Sequence, residues 1–226
     1  MKRLVPGFVL CCVLASTAAL AQEGGEGVSY GRGQGWSVLG GDTVGSNNNV
    51  LVGQFGWPGL TVGVLHGTSP KLDIGGKFSF NYGQEGLVEV VEPGIKLQAW
   101  VRLMLARTPQ ASVAITFQPG PLFYFHDGGT QVGLALPVAI VVGIPLSSAV
   151  VASAGVDVPF HVYFGTGGGP VFPLLAGGGL EYFVDRNLAL NFNVRMGPSI
   201  FPDSDRRGRS DARFTMEALF GLAWKL

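Results

Sequence analysis

The chain has 226 residues with 15 basic and 15 acidic side chains. Charged residues make up 13% of it, about half the roughly 25% usual in soluble domains. Its 47% hydrophobic content excludes disorder, and a net charge of zero gives no field to gather nucleic-acid phosphates.

Taken in chain order, the first segment is basic at Lys2 and Arg3, apolar from Phe8 to Leu14, and small at Ala19-Leu20-Ala21. This pattern reads as a secretory signal peptide over residues 1–21. Its apolar run is well short of the ~20 residues that a spanning helix needs. Both cysteines, Cys11 and Cys12, lie inside it. The mature chain is therefore cysteine-free, which excludes disulfides, thiol catalysis and thiolate metal sites. No metal or other cofactor is expected. Loss of the signal leaves 13 basic against 15 acidic side chains. Residues 22–34 are glycine-rich with little apolar content and read as a flexible lead-in.

From 35 to the end a two-residue alternation dominates. Segments 35–44, 54–66, 72–83, 94–107, 112–124, 131–145, 150–165, 171–184, 187–201 and 213–226 are the predicted strands. Ile95, Leu97, Ala99, Val101, Leu103 and Leu105 oppose Lys96, Gln98, Trp100 and Arg102. The last segment sets Phe214, Met216, Ala218, Phe220, Leu222, Trp224 and Leu226 on a single face. Successive strand side chains point to opposite sides, so each strand has one oily face. Gly56-Trp57-Pro58-Gly59-Leu60 reads as an interfacial tryptophan beside a kink, because proline donates no ladder hydrogen bond. The uncharged run from Gly128 to Val156 has the hydropathy of a spanning helix. Pro137, Pro145, the Ser147-Ser148 break and the period of two make it strand instead.

Two kinds of connection alternate. Those at Thr68-Ser69-Pro70, Thr108-Pro109-Gln110, Leu146-Ser147-Ser148 and Asp185-Arg186-Asn187 are short; 83–93, 119–130, 165–171 and 202–212 are longer. Short turns at one end and long loops at the other characterise transmembrane barrels. The fold class is therefore all-β: an antiparallel transmembrane β-barrel spanning 35–226, of about ten strands. Eight is the alternative if the weak segments 35–44 and 112–124 do not pair.

Charges decide which face is wet. Asp73, Lys77, Lys96, Arg102, Asp157, Glu181, Arg195 and Glu217 all fall opposite the oily faces. A charge at mid-bilayer costs several kcal/mol, so the oily face points to lipid and these eight line the lumen. Four are basic and four acidic, and mutual pairing makes a lumen largely filled by side chains. The alternative is a narrow charge-lined pore for ions or small solutes.

The signal peptide, alternating strands, unequal connections and a terminal strand carrying Phe220 and Trp224 resemble the small outer-membrane β-barrel proteins of Gram-negative bacteria. The resemblance is one of architecture over nearly the whole mature chain. It implies residence in the outer membrane, contact with its lipids, and recognition of the last strand by the barrel-assembly machinery. That strand usually ends in an aromatic residue in the family; here it ends in Leu226.

Catalytic constellations are sparse. His66 and Ser69 bear some likeness to the His and Ser of barrel-type lipid A deacylases, without the family's spacing. His126-Asp127 sits in an expected loop, and His161 is expected to face the lumen near Asp157. The reading is of a non-enzymatic barrel with a structural or surface-binding role; a lipid-modifying enzyme is a third reading. Arg206, Arg207 and Arg209 in the polar stretch 202–212 are the candidate surface site for anions such as lipopolysaccharide phosphates, since guanidinium forks match phosphate.

Overall fold

The computed structural model describes residues 34–85, 91–165, 168–202 and 211–226. The expected signal peptide, all of the lead-in but Gln34, and Arg206, Arg207 and Arg209 lie outside them. Among the described residues twelve extended segments follow one another: β1 (Asn49–Trp57), β2 (Gly59–Ser69), β3 (Leu72–Asn81), β4 (Gly94–Arg107), β5 (Ser112–Phe117), β6 (Gly120–His126), β7 (Gly129–Pro145), β8 (Val150–Tyr163), β9 (Pro170–Pro173), β10 (Leu175–Phe183), β11 (Leu188–Phe201) and β12 (Asp211–Lys225).

These make ten barrel strands. β5 and β6 both bridge β4 to β7 and are one strand broken at Gln118-Pro119. β9 and β10 both bridge β8 to β11 and are one strand broken at Leu174. Every pairing is antiparallel, and β1 pairs with β12 from Val50↔Lys225 to Trp57↔Ala218, which closes the sheet. Closure leaves no unpaired edge, the condition for a sheet to stand in lipid.

The count of ten agrees with the sequence; its composition does not. Residues 35–44, expected as the first strand, pair with nothing in the sheet. The expected single strand 54–66 is instead parts of two, β1 and β2, which fold back on each other at Pro58. Their pairing from Asn49↔His66 to Phe55↔Leu60 makes the expected kink a hairpin turn, in which the Trp57-Pro58 bond is cis and Gly56 has φ 144°. The stretch 119–130, expected as a long connection, is mainly β6 followed by a tight turn at Asp127-Gly128.

The oily faces point outward. Phe78, Leu97, Ile140, Leu180, Phe220 and Trp224 are among the exposed apolar side chains. Inside, an apolar cluster of Trp36, Val38, Leu39, Val44, Val50, Val52, Leu65, Trp100, Val151, Phe183, Ala189 and Ala223 fills the end carrying the short turns. A smaller cluster of Leu122, Tyr124, Ala135, Tyr163 and Val171 lies towards the opposite end, where β3 ends at Asn81 and β8 at Tyr163.

Candidate functional site

Residues 36–44 form a stopper inside the barrel at the turn end. Trp36 donates its Nε1 hydrogen to the Arg186 carbonyl at 3.0 Å, and its ring meets Phe183 edge-on at 5.1 Å. Two wall carboxylates then capture the segment by its backbone. Glu181, fully buried on β10, accepts from Val38 N at 2.8 Å and from the Ser37 hydroxyl. Asp73, fully buried on β3, accepts from Val44 N at 3.2 and 3.1 Å. Thr43 donates to the Pro70 carbonyl at 3.0 Å, and Arg107 Nε lies 3.0 Å from Asp42. Burial pushes the Asp42 carboxyl up, against the pull of Arg107. These contacts satisfy N–H groups that a strand would have given to a ladder, which is how an extended segment can lie unpaired in the lumen.

All eight sequence-predicted charges face inward, but they do not simply pair with one another. Asp73 accepts from Arg102 Nε at 2.9 Å and Nη2 at 2.6 Å, and Arg195 pairs with Asp157. Glu181 goes to the stopper instead. Lys96 pairs with Glu85, which enters the lumen from the connection after β3. Lys77 lies over the Trp100 ring, 5.8 Å from its centroid. Among the described residues, neither Lys77 nor Glu217 has an ion-pair partner.

Glu85 is the functional residue that sequence reasoning missed, because it sits in an irregular stretch where no period assigns a face. It ties together the loop-end cluster. Its N–H donates to Tyr124 Oη at 3.1 Å, which also accepts from Asn81 Nδ2 at 3.0 Å. His161 Nε2 lies 2.8 Å from Glu85 Oε2, so His161 turns to Glu85 rather than to the expected Asp157. Burial alone would raise the Glu85 carboxyl; Lys96 and His161 outweigh it and hold it well below the ordinary carboxylate range. His66 points outward and contacts Asn49 Oδ1 at 2.9 Å, while Ser69 caps its own turn by accepting from Lys71 N at 3.2 Å. The two form no catalytic pair. His126 is exposed at the end of β6.

Between the stopper and the loop end lies a polar cavity of about 100 Å³. Val38, Leu39 and Gly40 of the stopper meet it on one side, and Pro58 and Gly59 of the β1–β2 turn on another. Lys77, Trp100, Asp157, Arg195 and Glu217 are in its walls.

The chain has the fold of an outer-membrane β-barrel. No family model matches it, and no curated protein does. Among solved structures it is similar to the outer membrane protease OmpT of Escherichia coli, with 7% identity and a TM-score of 0.43 over 80% of this chain and 94% of that one. It is also similar to the outer-membrane expressed OmpT of Vibrio cholerae, with 12% identity and a TM-score of 0.38 over 78% of this chain and 61% of that one. One of these barrels is a protease, which stands against the expectation of a non-enzymatic barrel. At such low identity and TM-score no site is transferred from either.

Proposed function

We propose that this protein is exported by its N-terminal signal and resides in the outer membrane as a barrel stoppered by its own residues 36–44. Both barrel ends of the chain, Asn49 and Leu226, lie at the turn end, joined by a hydrogen bond from Leu226 N to the Asn49 carbonyl at 2.9 Å. In this reading the turn end faces the periplasm and the loops face the exterior. Lipid covers the apolar belt, the assembly machinery reads β12, and the loops carry a surface-binding role. Arg206, Arg207 and Arg209 are the candidate contacts for lipopolysaccharide phosphates. The carrying observation is the seating of Ser37, Val38 and Val44 on the buried carboxylates Glu181 and Asp73. Water cannot follow a lumen whose turn end is filled by Trp36, Leu39 and Phe183.

The test is planar-bilayer conductance of the purified chain beside a variant lacking residues 34–44, both verified as folded by far-UV circular dichroism. The full chain is expected to be silent and the variant to show a stable unitary conductance. Steady conductance by the full chain would replace this reading with the second one, a narrow pore for ions or small solutes. That second reading is favoured by the charged cavity above the stopper.

A further inference from the structure

The seam that closes the barrel is shorter than the strand it closes on. β1 pairs with β12 as far as Trp57↔Ala218 and then turns back at Pro58. β12 outruns that seam by the seven residues Asp211 to Glu217, held there by β11 alone, up to Phe201↔Asp211. Leu226 N donates to the Asn49 carbonyl and Lys225 N to the Asn187 carbonyl, so even-numbered residues of β12 bond towards β1 and odd-numbered ones towards β11. Beyond Ala218, the even-numbered Ala212, Phe214 and Met216 therefore aim their backbone N–H and C=O groups to a side where no strand stands among the described residues. The described ends of the β3–β4 connection are engaged elsewhere. Tyr82 N and Gly83 N donate to the Pro58 carbonyl at 3.0 and 3.1 Å, and the Pro93 carbonyl accepts from Phe125 N at 2.8 Å. The side chains agree with the backbone: Phe214 is 61% exposed, against 49% for Phe220, which has Phe55 and Phe192 beside it.

An open strand edge is a template for one more strand. Lipid cannot serve, because acyl chains neither donate nor accept hydrogen bonds. A second copy cannot pair through the same edge either. Antiparallel pairing of a strand with its twin sets the two-fold axis across the sheet, hence in the membrane plane, and turns the partner barrel upside down. An extended segment of another chain does fit, and the two faces of β12 give its character. Outward, Phe214 and Met216 call for apolar side chains. Inward stand Thr215 and Glu217. Glu217 is half-buried, lines the lumen cavity and has no ion pair among the described residues. Arg195, opposite it in register, is turned to Asp157, and Lys77 lies over the Trp100 ring. A basic side chain placed opposite Thr215 lies one diagonal step from that carboxylate, within reach of lysine or arginine.

We propose that the edge of β12 from Ala212 to Met216 binds an extended peptide by strand addition, with apolar side chains outward and a lysine or arginine inward towards Glu217. Binding there gives the surface role of the loop end a partner, and it rests on the reading that places this end outside.

The probe is the pentapeptide acetyl-Val-Lys-Val-Thr-Val-amide, antiparallel to β12 with its first valine opposite Met216. The readout is amide hydrogen exchange of the full chain in detergent, followed by NMR. In the free chain the amides of Ala212, Phe214 and Met216 are expected to exchange fast, and those of Arg213 and Thr215, bonded to β11, slowly. Peptide should slow the first three at least tenfold. Methylating the nitrogen of the central valine, which faces β12, should abolish the effect; methylating that of the lysine, which faces away, should not. Glutamate in place of the lysine should bind roughly threefold more weakly, a preference that Glu217→Gln should erase. Slow exchange at the three amides before peptide is added means an edge already covered, and no slowing at millimolar peptide means one satisfied by water; either overturns the site. Equal effects of the two methylated peptides overturn strand addition, and equal binding of the lysine and glutamate peptides overturns the role of Glu217. All arms but one use the unmodified chain, so they stand even where the variant fails to fold. A negative result beside a silent bilayer leaves the stoppered barrel intact.

Discussion

At the scale of single residues, the Asp73–Arg102 pair does two jobs: it neutralises a buried guanidinium and holds the stopper. Both side chains are almost wholly inaccessible, at 0% and 1%. Attraction between buried charges is largely offset by the cost of drying them, so the pair is a weak source of net stability. Removing one partner is a different matter. Asp73→Ala leaves Arg102 charged and alone and strips the acceptor from Val44 N. The expected cost is about 3–5 kcal/mol of folding free energy. Replacing both, as Asp73→Leu with Arg102→Met, should cost much less than the sum of the single changes, a coupling that a double-mutant cycle from urea titrations in lipid vesicles would measure. Additive costs would mean that the two residues act separately. The inward placement of both was legible in the alternation around Ile74 and Val101. That Asp73 would be shared with the backbone of residue 44 was not, because a contact across 29 residues leaves no periodic trace.

At the scale of elements, the stopper is where local pattern misleads. Trp36 and Val38 alternate with Ser37 and Leu39 as weak strands do, yet this segment has buried side chains on both sides. A barrel strand must show one face to lipid; a segment buried all round belongs inside. The pair Gly40-Gly41 carries the informative signal. A Cβ on Gly41 would sit 2.4 Å from the Ser112 carbonyl carbon and oxygen and 2.5 Å from Val113 N, so only glycine lets the stopper lie against β5. Gly41→Ala must lift the segment, at about 1–3 kcal/mol for a forced clash. Because Cys11 and Cys12 are the chain's two cysteines and both fall within the proposed signal peptide, Leu39→Cys supplies a reporter at a position only 9% exposed. That thiol should be protected from a water-soluble maleimide, and adding Gly41→Ala should speed its labelling roughly tenfold. Equal rates with and without the alanine would show that the stopper does not depend on this contact. Pro58 misled in the opposite direction. A proline read as a kink within one strand is a one-residue reversal between two, and the strand gained there replaces the one lost at 35–44.

At the scale of the whole molecule, the closed sheet turns a repeated local choice into a belt. Each outward residue is apolar for its own strand's reasons, but registration aligns them: Val138 faces Phe117 and Val158 on its neighbours, as Phe220 faces Phe55 and Phe192 on its own. The architecture was legible because lipid imposes this rule on every strand at once, so errors in one segment did not hide the total. The lumen was less legible, since its occupants come from segments outside the sheet, namely Ser37, Val44 and Glu85, to which the rule does not apply. Depth within the belt gives the sharpest test of the whole arrangement. Val138 lies near the middle of the 17-residue β7, and Val132 lies near its loop end on the same face. Arginine at the midplane of a barrel's lipid face costs about 2–4 kcal/mol, falling to about 0–1 near the interface. Val138→Arg should therefore be far more damaging than Val132→Arg when the two are unfolded by denaturant in lipid vesicles. The same pair in detergent should differ less, because a micelle lets water and headgroups reach the side chain. Equal costs in vesicles would mean that this face is not spread across the bilayer. A larger cost at Val132 would place the midplane nearer the loops and move the stopper, at the opposite end, out beyond the membrane surface.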